Sequence, residues 1–448
     1  MKVSLNLRLP ILVLVSLAII LSACNAARSP FTQRVSVAKD GGEPDARSNQ
    51  PSISGNGRYV AFTSDATNMV DGDTNGFSDV FVRDLDQSTT VRVSVAGDGT
   101  QGNKSSYWPY ISSNGRYTSF VSEATNLVIN DTNEVADVFV HDNKTGETKM
   151  ASVASDNTPG NDLSFWTSIS SDGRYVAFMS AATNLVPSDT NDSWDIFVHD
   201  IKTGETSRVS VTNDGKEANS QSEYPVISED GRYVAFASDA TNLVEGDSNG
   251  YRDVFEYDRK TSKIFRVSVA SDGTQANEGT EMGAIAISAD GRYVAFASLA
   301  TNLVAEDTNQ NWDIFVHDRD TGETTRVSVA SDGAQANAGS FGVGISGQGR
   351  YVTFGSNANN LTDGDTNNAQ DVFVHDRQTG QTRLVSVASD GTEGNLASGF
   401  TLVVPGGVDI AYGALISSDG NRVVFMSGAS NLVDNDKNWK QDVYIHSQ

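Results

Sequence analysis

The segment Gly57-Arg58-Tyr59-Val60-Ala61-Phe62 recurs at Gly115, Gly173, Gly231, Gly291 and Gly349, with a degenerate copy at Gly420. Successive spacings are 58, 58, 58, 60, 58 and 71 residues. A repeat of this length is one supersecondary unit that buries its apolar face only against its neighbours. Around each copy four apolar runs follow in order, in the third at residues 167–170, 175–180, 195–199 and 208–211. Each is short, rich in Val, Ile, Phe and Tyr, and bounded by Asp, Asn, Gly, Ser or Thr, the pattern of a strand. We label them a, b, c and d. Asp172-Gly173 between a and b is a strong hairpin signal, because glycine takes positive φ at no steric cost. Thr203-Gly204 plays the same part between c and d.

Seven four-stranded antiparallel units predict an all-β, seven-bladed β-propeller. The ends of the chain sharpen this. Residues 34–38 form a d-type run with no blade, and residues 442–446 form a c-type run with no d strand after it. Pairing them completes a seventh blade, closes the ring and hides two sheet edges. The alternative, an open β-solenoid, would leave both edges exposed.

Residues 1–23 carry Lys2 and Arg8, an apolar run over 11–21 and then Leu21-Ser22-Ala23-Cys24, the layout of a secretory signal. Cys24 is the chain's only cysteine, so disulfides contribute nothing. The segment from Leu21 to Cys24 resembles the lipobox of bacterial lipoproteins, which implies cleavage before Cys24 and lipid attachment there. Several acyl chains hold a protein stably at a membrane. Residues 24–30 then form a short tether and residues 31–448 the propeller. The remaining chain has 30 basic against 57 acidic residues, a formal charge of −27. Nucleic acid is a poor partner for such a surface, which suits a soluble monomer and cationic or basic ligands.

Ile-Ser-x-Asp-Gly-Arg-Tyr-Val-Ala-Phe at Ile169 and at Ile287, followed by Asp-Ile-Phe-Val-His-Asp and Thr-Gly-Glu-Thr, resembles the WD40-like (PD40) repeat of TolB-type propellers. The resemblance runs through nearly all of 31–448 and implies the fold. It does not imply the TolB role. TolB places an α/β domain before its propeller, whereas here residues 25–30 alone separate Cys24 from the first strand.

Between b and c lies an acidic loop with its own repeat. Oxygen-bearing residues at positions 1, 3, 5 and 9 are Asp71, Asp73, Asn75 and Asp79 in the first copy. They recur as Glu245, Asp247, Asn249 and Asp253; as Asp363, Asp365, Asn367 and Asp371; and as Asp434, Asp436, Asn438 and Asp442. Ca²⁺ takes six to eight oxygens, and alternating acids on a tight loop can wrap one. The spacing resembles the cation loops of integrin-type propellers. Against this, position 12 holds no glutamate, and three copies have Ile129, Pro187 or Ala305 at position 1. An Asx-rich turn, whose side chains bond backbone N–H groups, explains the same residues.

Function is sought where the copies differ. Ahead of the repeated Ile of strand a stand Asn49 and Gln50, Tyr107 and Trp108, Phe165 and Trp166, Glu223 and Tyr224, Gly283 and Ala284, Phe341 and Gly342, Tyr412 and Gly413. These positions, with Glu281, predict an aromatic and acidic mouth on the axis, suited to a sugar ring, a peptide or a basic side chain. The same large residues would equally serve as a channel plug. The 13 extra residues of the 71-residue spacing fall around 396–412 and predict an apolar loop on that face. His141, His199, His317, His375 and His446 share one place in strand c, so symmetry spreads them apart and predicts a structural role. Three functional classes follow: a lipid-anchored binding or scaffold module for an envelope protein, peptide or glycan; a propeller lyase or hydrolase using Glu223, Glu281 and Tyr224; or a structural subunit of an envelope complex.

Overall fold

The computed structural model describes Met1 and residues 30–448 apart from 400, 405–407 and 412, with side chains outside 400–412. Cys24 and Tyr412 therefore lie outside the described residues. The chain forms a seven-bladed β-propeller of four-stranded antiparallel sheets, with no helix among the described residues. Blades 1 to 6 span residues 48–92, 106–150, 164–208, 222–266, 280–326 and 340–384. Blade 7 joins Leu415–Ile416, Arg422–Ser427 and Asp442–Ser447 to the N-terminal strand Phe31–Arg34. In this closing pair Thr32 lies opposite His446 and Arg34 opposite Tyr444.

Each repeated residue has a packing reason. The b and c strands face each other through one aromatic pair per blade, from Phe62 and Phe81 (centroids 5.9 Å apart) to Phe425 and Tyr444 (6.0 Å). In blades 1 to 6 the arginine of Gly-Arg-Tyr forms a two-pronged ion pair with the last Asp of strand c. In blade 3, Arg174 reaches Asp200 at 2.7 and 3.0 Å and lies over the Tyr175 ring. The tyrosine packs on the next blade: a Cβ at Gly231, where φ is +71°, would run into the Tyr175 ring. Blade 7 has Arg422 instead, and its guanidinium donates to the Gly57 carbonyl at 2.7 Å, so the seam persists around the ring.

The histidines are buried and joined to strand d. His199 Nδ1 and Thr206 Oγ1 are 2.8 Å apart, and His446 bonds Thr32 of the closing strand at the same distance. Burial holds both imidazoles down at about 4.

Several strand limits differ from the sequence reading: in blade 3, strand a is Ser164–Ile169 rather than 167–170 and strand c is Asp195–Asp200 rather than 195–199. Strand d of blade 3 is Thr206–Arg208 rather than 208–211, and the closing strand is Phe31–Arg34 rather than 34–38. A hydroxyl marks the change: after Val209 and Val35, whose N–H groups still bond strand c, Ser210 and Ser36 accept the Ile196 and Val443 N–H through their side chains and donate to Asp195 and Asp442. The second difference is in strand a, which carries a bulge three or four residues before its last Ile. The register shifts between Phe165 and Thr167 in blade 3, and between Thr280 and Ile285 in blade 5. The 13-residue insertion lies at this same place. Ser398 pairs with Ser427 as the first residue of strand a does elsewhere, and Leu415–Ile416 completes the strand. Between them the hairpin Thr401–Val404 and Val408–Ala411 projects, its second strand beside strand a of blade 5. The insertion thus interrupts the innermost strand.

Candidate functional site

The axis has two unlike ends. At the end carrying the a–b turns, Ile53, Ile111, Ile169, Ile227, Ile287, Ile345 and Ile416 line one cavity of about 80 Å³. Just beyond them backbone bonds run from blade to blade, among them Glu229 N to Ala289 O (3.0 Å) and Ser418 N to Gly55 O (3.0 Å). The Ser418 hydroxyl also donates to Glu229. Tyr110 stands above this ring and lines a second cavity of about 70 Å³ on its other side. Burial, helped by Glu229, pushes its hydroxyl up to about 12. The channel is closed by Tyr110 and the backbone ring.

At the other end the channel opens into a cavity of about 750 Å³ built by blades 1 to 5. Of the sequence-predicted residues, Tyr107, Trp108, Phe165, Trp166, Glu223 and Tyr224 line it together. Their rings form one chain across blades 2 to 4. Tyr107 meets Trp108 at 4.8 Å, Trp108 meets Trp166 at 5.9 Å, and Trp166 meets Tyr224 edge-on at 4.9 Å. These separations suit edge-to-face and tilted pairs.

The backbone that aims these rings is strained. Gln50, Trp108, Trp166 and Tyr224 sit at the bulge with φ between 49° and 58°, where blades 5 and 6 have Gly283 and Gly342. A left-handed backbone costs a non-glycine residue of order 1–3 kcal/mol and is retained where the surroundings enforce it. After Gln50, Trp108 and Tyr224 comes a proline, whose missing N–H suits a bulge.

The rim is polar. The Tyr107 hydroxyl donates to Glu123 at 2.6 Å, and Arg47 pairs with Asp65 at 2.6 Å. Arg252 bridges Glu223 (2.8 Å) and Asp239 (2.9 Å). Burial raises Glu223 above the usual carboxylate range against the pull of Arg252. Burial, together with Glu223, pushes Tyr224 up to about 12.

Two predicted mouth residues lie elsewhere. The Phe341 ring folds back over Gly339, into the space a Cβ there would take. Glu281 is half-buried at the blade 5 bulge, its Oε2 buried and unpartnered, and desolvation pushes the carboxyl up to about 8. Sequence reasoning missed Trp194 and Arg252, at position 8 of the b–c loop. A signal existed, since that position holds Ser78, Ala136, Trp194, Arg252, Trp312, Gln370 and Gln441 in turn.

In blades 1, 4 and 7 an arginine reaches the position-3 and position-9 acids of the loop. Arg92 reaches Asp73 and Asp79, both at 3.2 Å. Arg266 reaches Asp247 (3.1 Å) and Asp253 (3.4 Å), and Arg34 reaches Asp436 (3.8 Å) and Asp442 (3.5 Å). Asn75, Asn249, Asn367 and Asn438 turn their amide N–H toward the position-9 aspartate and their oxygen toward a backbone N–H two residues on. The position-1 acids Asp71, Glu245, Asp363 and Asp434 are exposed. Among the described residues one acidic group could hold a metal: ligand oxygens of Asp365, Asp371 and Glu393 lie within 4.8 Å of one another.

No protein-family model matches the sequence, and neither does any curated protein. Among solved structures, the fold is similar to oligogalacturonate lyase from Vibrio parahaemolyticus, at 14% identity and a TM-score of 0.54, over 94% of this chain and 97% of that one. An oligogalacturonate lyase in complex with manganese is similar at 13% identity and a TM-score of 0.55, over 94% and 96%. TolB from Acinetobacter baumannii is similar at 16% identity and a TM-score of 0.38, over 68% and 58%. At these identities the likeness to the two lyases is one of fold.

Proposed function

We propose that this chain is an exported, lipid-anchored binding module of the TolB-type WD40-like class, monomeric, which captures a glycan of the cell envelope across the mouth of blades 1 to 4. The observation that carries this is the unbroken run of rings from Tyr107 to Tyr224 along an open cavity rimmed by Glu123, Glu223 and Arg252. Sugar rings offer apolar faces for stacking and hydroxyls for such a rim. The N-terminal strand begins at the closed end of the axis, since Phe31 pairs with Ser447. Lipid on Cys24 would hold that end toward the membrane and turn the mouth outward. Calcium enters this reading at blade 6 alone.

A glycan array and a pull-down with the chain lacking residues 1–24 test the binding. Glycan capture that Trp166→Ala weakens at least tenfold is expected; capture of a single envelope protein or peptide with no glycan would refute it. Labelling with a radioactive fatty acid, lost in Cys24→Ser, tests the anchor.

A second reading, a polysaccharide lyase or hydrolase, is favoured by Glu281, a carboxyl that desolvation pushes up to about 8 beside the mouth residue Met282. Cleavage of captured glycan, abolished in Glu281→Gln, would establish it.

A further inference from the structure

Blades 3 and 6 carry the same three carboxylates at the same places in the repeat. In blade 3 these are Asp189, Asp195 and Glu217; in blade 6 they are Asp365, Asp371 and Glu393. What differs is the residue thirteen after the second aspartate. In blade 3 it is Arg208, whose Nη1 stands among all three oxygens, 3.1 Å from Asp189, 3.2 Å from Asp195 and 3.1 Å from Glu217. In blade 6 it is Leu384. Arg34, Arg92, Arg266 and Arg326 fill the corresponding place in blades 7, 1, 4 and 5.

Removing a guanidinium from between three carboxylates leaves a buried concentration of negative charge, which costs free energy unless another cation enters. Asp365 is 8% exposed, and its Oδ1 has no hydrogen-bond partner. Glu393 is fixed from outside by the Thr366 N–H and hydroxyl, at 3.0 and 2.8 Å, which hold its carboxylate against the loop. Two oxygens bound to one Ca²⁺ at about 2.4 Å can stand at most about 4.8 Å apart, and the three oxygens here meet that limit. All three are hard carboxylate donors, which suit Ca²⁺, Mg²⁺ or Mn²⁺ over softer metals.

We propose that blade 6 binds one hard divalent cation between Asp365, Asp371 and Glu393, in the position that an arginine occupies in five other blades. The site needs neither Asp363 nor Asn367, and it is independent of what the mouth binds. Blade 2 marks the boundary of the rule. It also lacks the arginine, having Met150, but it has Pro159 where blade 6 has Glu393, so only Asp131 and Asp137 remain. A proton shared between carboxylates is the rival occupant in blade 6.

Calorimetric titration of CaCl₂, MgCl₂ and MnCl₂ into the chelator-treated full chain, with thermal melts alongside, tests the site. At least one ion is expected to bind with a stoichiometry of one and to raise the melting temperature by about 3 °C at a hundredfold excess over Kd. Leu384→Arg should lower cation affinity at least a hundredfold while melting, in chelator, no lower than the parent. Asp365→Asn should also abolish binding, and it carries the test if Leu384→Arg does not fold. Met150→Arg should leave the stoichiometry at one. Absence of heat with all three ions would assign the site to a shared proton and overturn the proposal. Binding that survives in a folded Leu384→Arg or Asp365→Asn would overturn it too.

Discussion

The two halves of strand a make an instructive pair. Toward the closed end the strand finishes on isoleucine in all seven blades, and those seven side chains meet in one cavity. Toward the mouth, a few residues earlier, the same strand holds Gln50, Trp108, Trp166, Tyr224, Gly283 or Gly342 in a left-handed backbone. In blade 7 the corresponding stretch opens into a hairpin, and in blade 5 it gains two residues, so the variation in repeat length falls at this point. A bulge tolerates both changes because its extra residue already stands outside the ladder. The repeated half supplies the shared core, and the bulged half varies in side chain and length without disturbing it.

Substitutions can break this division. The largest effect is expected at the closed end: Gly231→Val puts a branched side chain into the Tyr175 ring at a φ of +71°, and should cost at least about 4 kcal/mol in denaturant unfolding. Ile227→Ala should cost about 3 kcal/mol by the same measurement and leave ligand capture unchanged. An acid titration sharpens the closed end further. His199 titrates near 6.5 when unfolded and near 4 when folded, so the folded state binds fewer protons between these values. Stability therefore falls as pH drops from 6.5 to 4, by up to about 3 kcal/mol for this histidine, and His199→Gln should remove that increment from the pH profile. At the mouth, Trp166→Ala should cost about 2 kcal/mol of ligand affinity, read as Kd. The smallest effect is expected at Ser88, exposed at a φ of 54° in the c–d turn where blade 3 has Gly204. Ser88→Gly should raise stability by less than about 1 kcal/mol.

The fold was legible because repetition multiplies weak signals. One Asp172-Gly173 suggests a hairpin; seven turn glycines in register, after Asp in four blades, Asn in two and Gln in one, with complementary ends, specify a ring. The exact limits of strand d were not, since Ser36 and Ser210 look like strand residues until the aspartate that their hydroxyls bond is in place. The mouth was partly legible for the opposite reason. Trp108 and Trp166 stood out by failing to repeat, and Trp194 and Arg252 would have done so had the acidic loop been compared for its variable residue as well as its acids. The arginines explain the remaining difference. Arg92 lies 13 residues after Asp79 and looks, in sequence, like one more strand residue, so the loop carboxylates seem to lack a cation that the fold supplies.

The closing pair between Phe31–Arg34 and Asp442–Ser447 also sets the order in which the molecule can be completed. Blades 1 to 6 each draw on about 45 consecutive residues and can form as they emerge from synthesis. Blade 7 must bring together positions 31 and 447, a separation whose chain entropy is paid late and only once. Until the last strand, Asp442–Ser447, arrives, the edges of Phe31–Arg34 and Arg422–Ser427 remain open to other strands, so the interval before closure is when this chain is most exposed to mispairing.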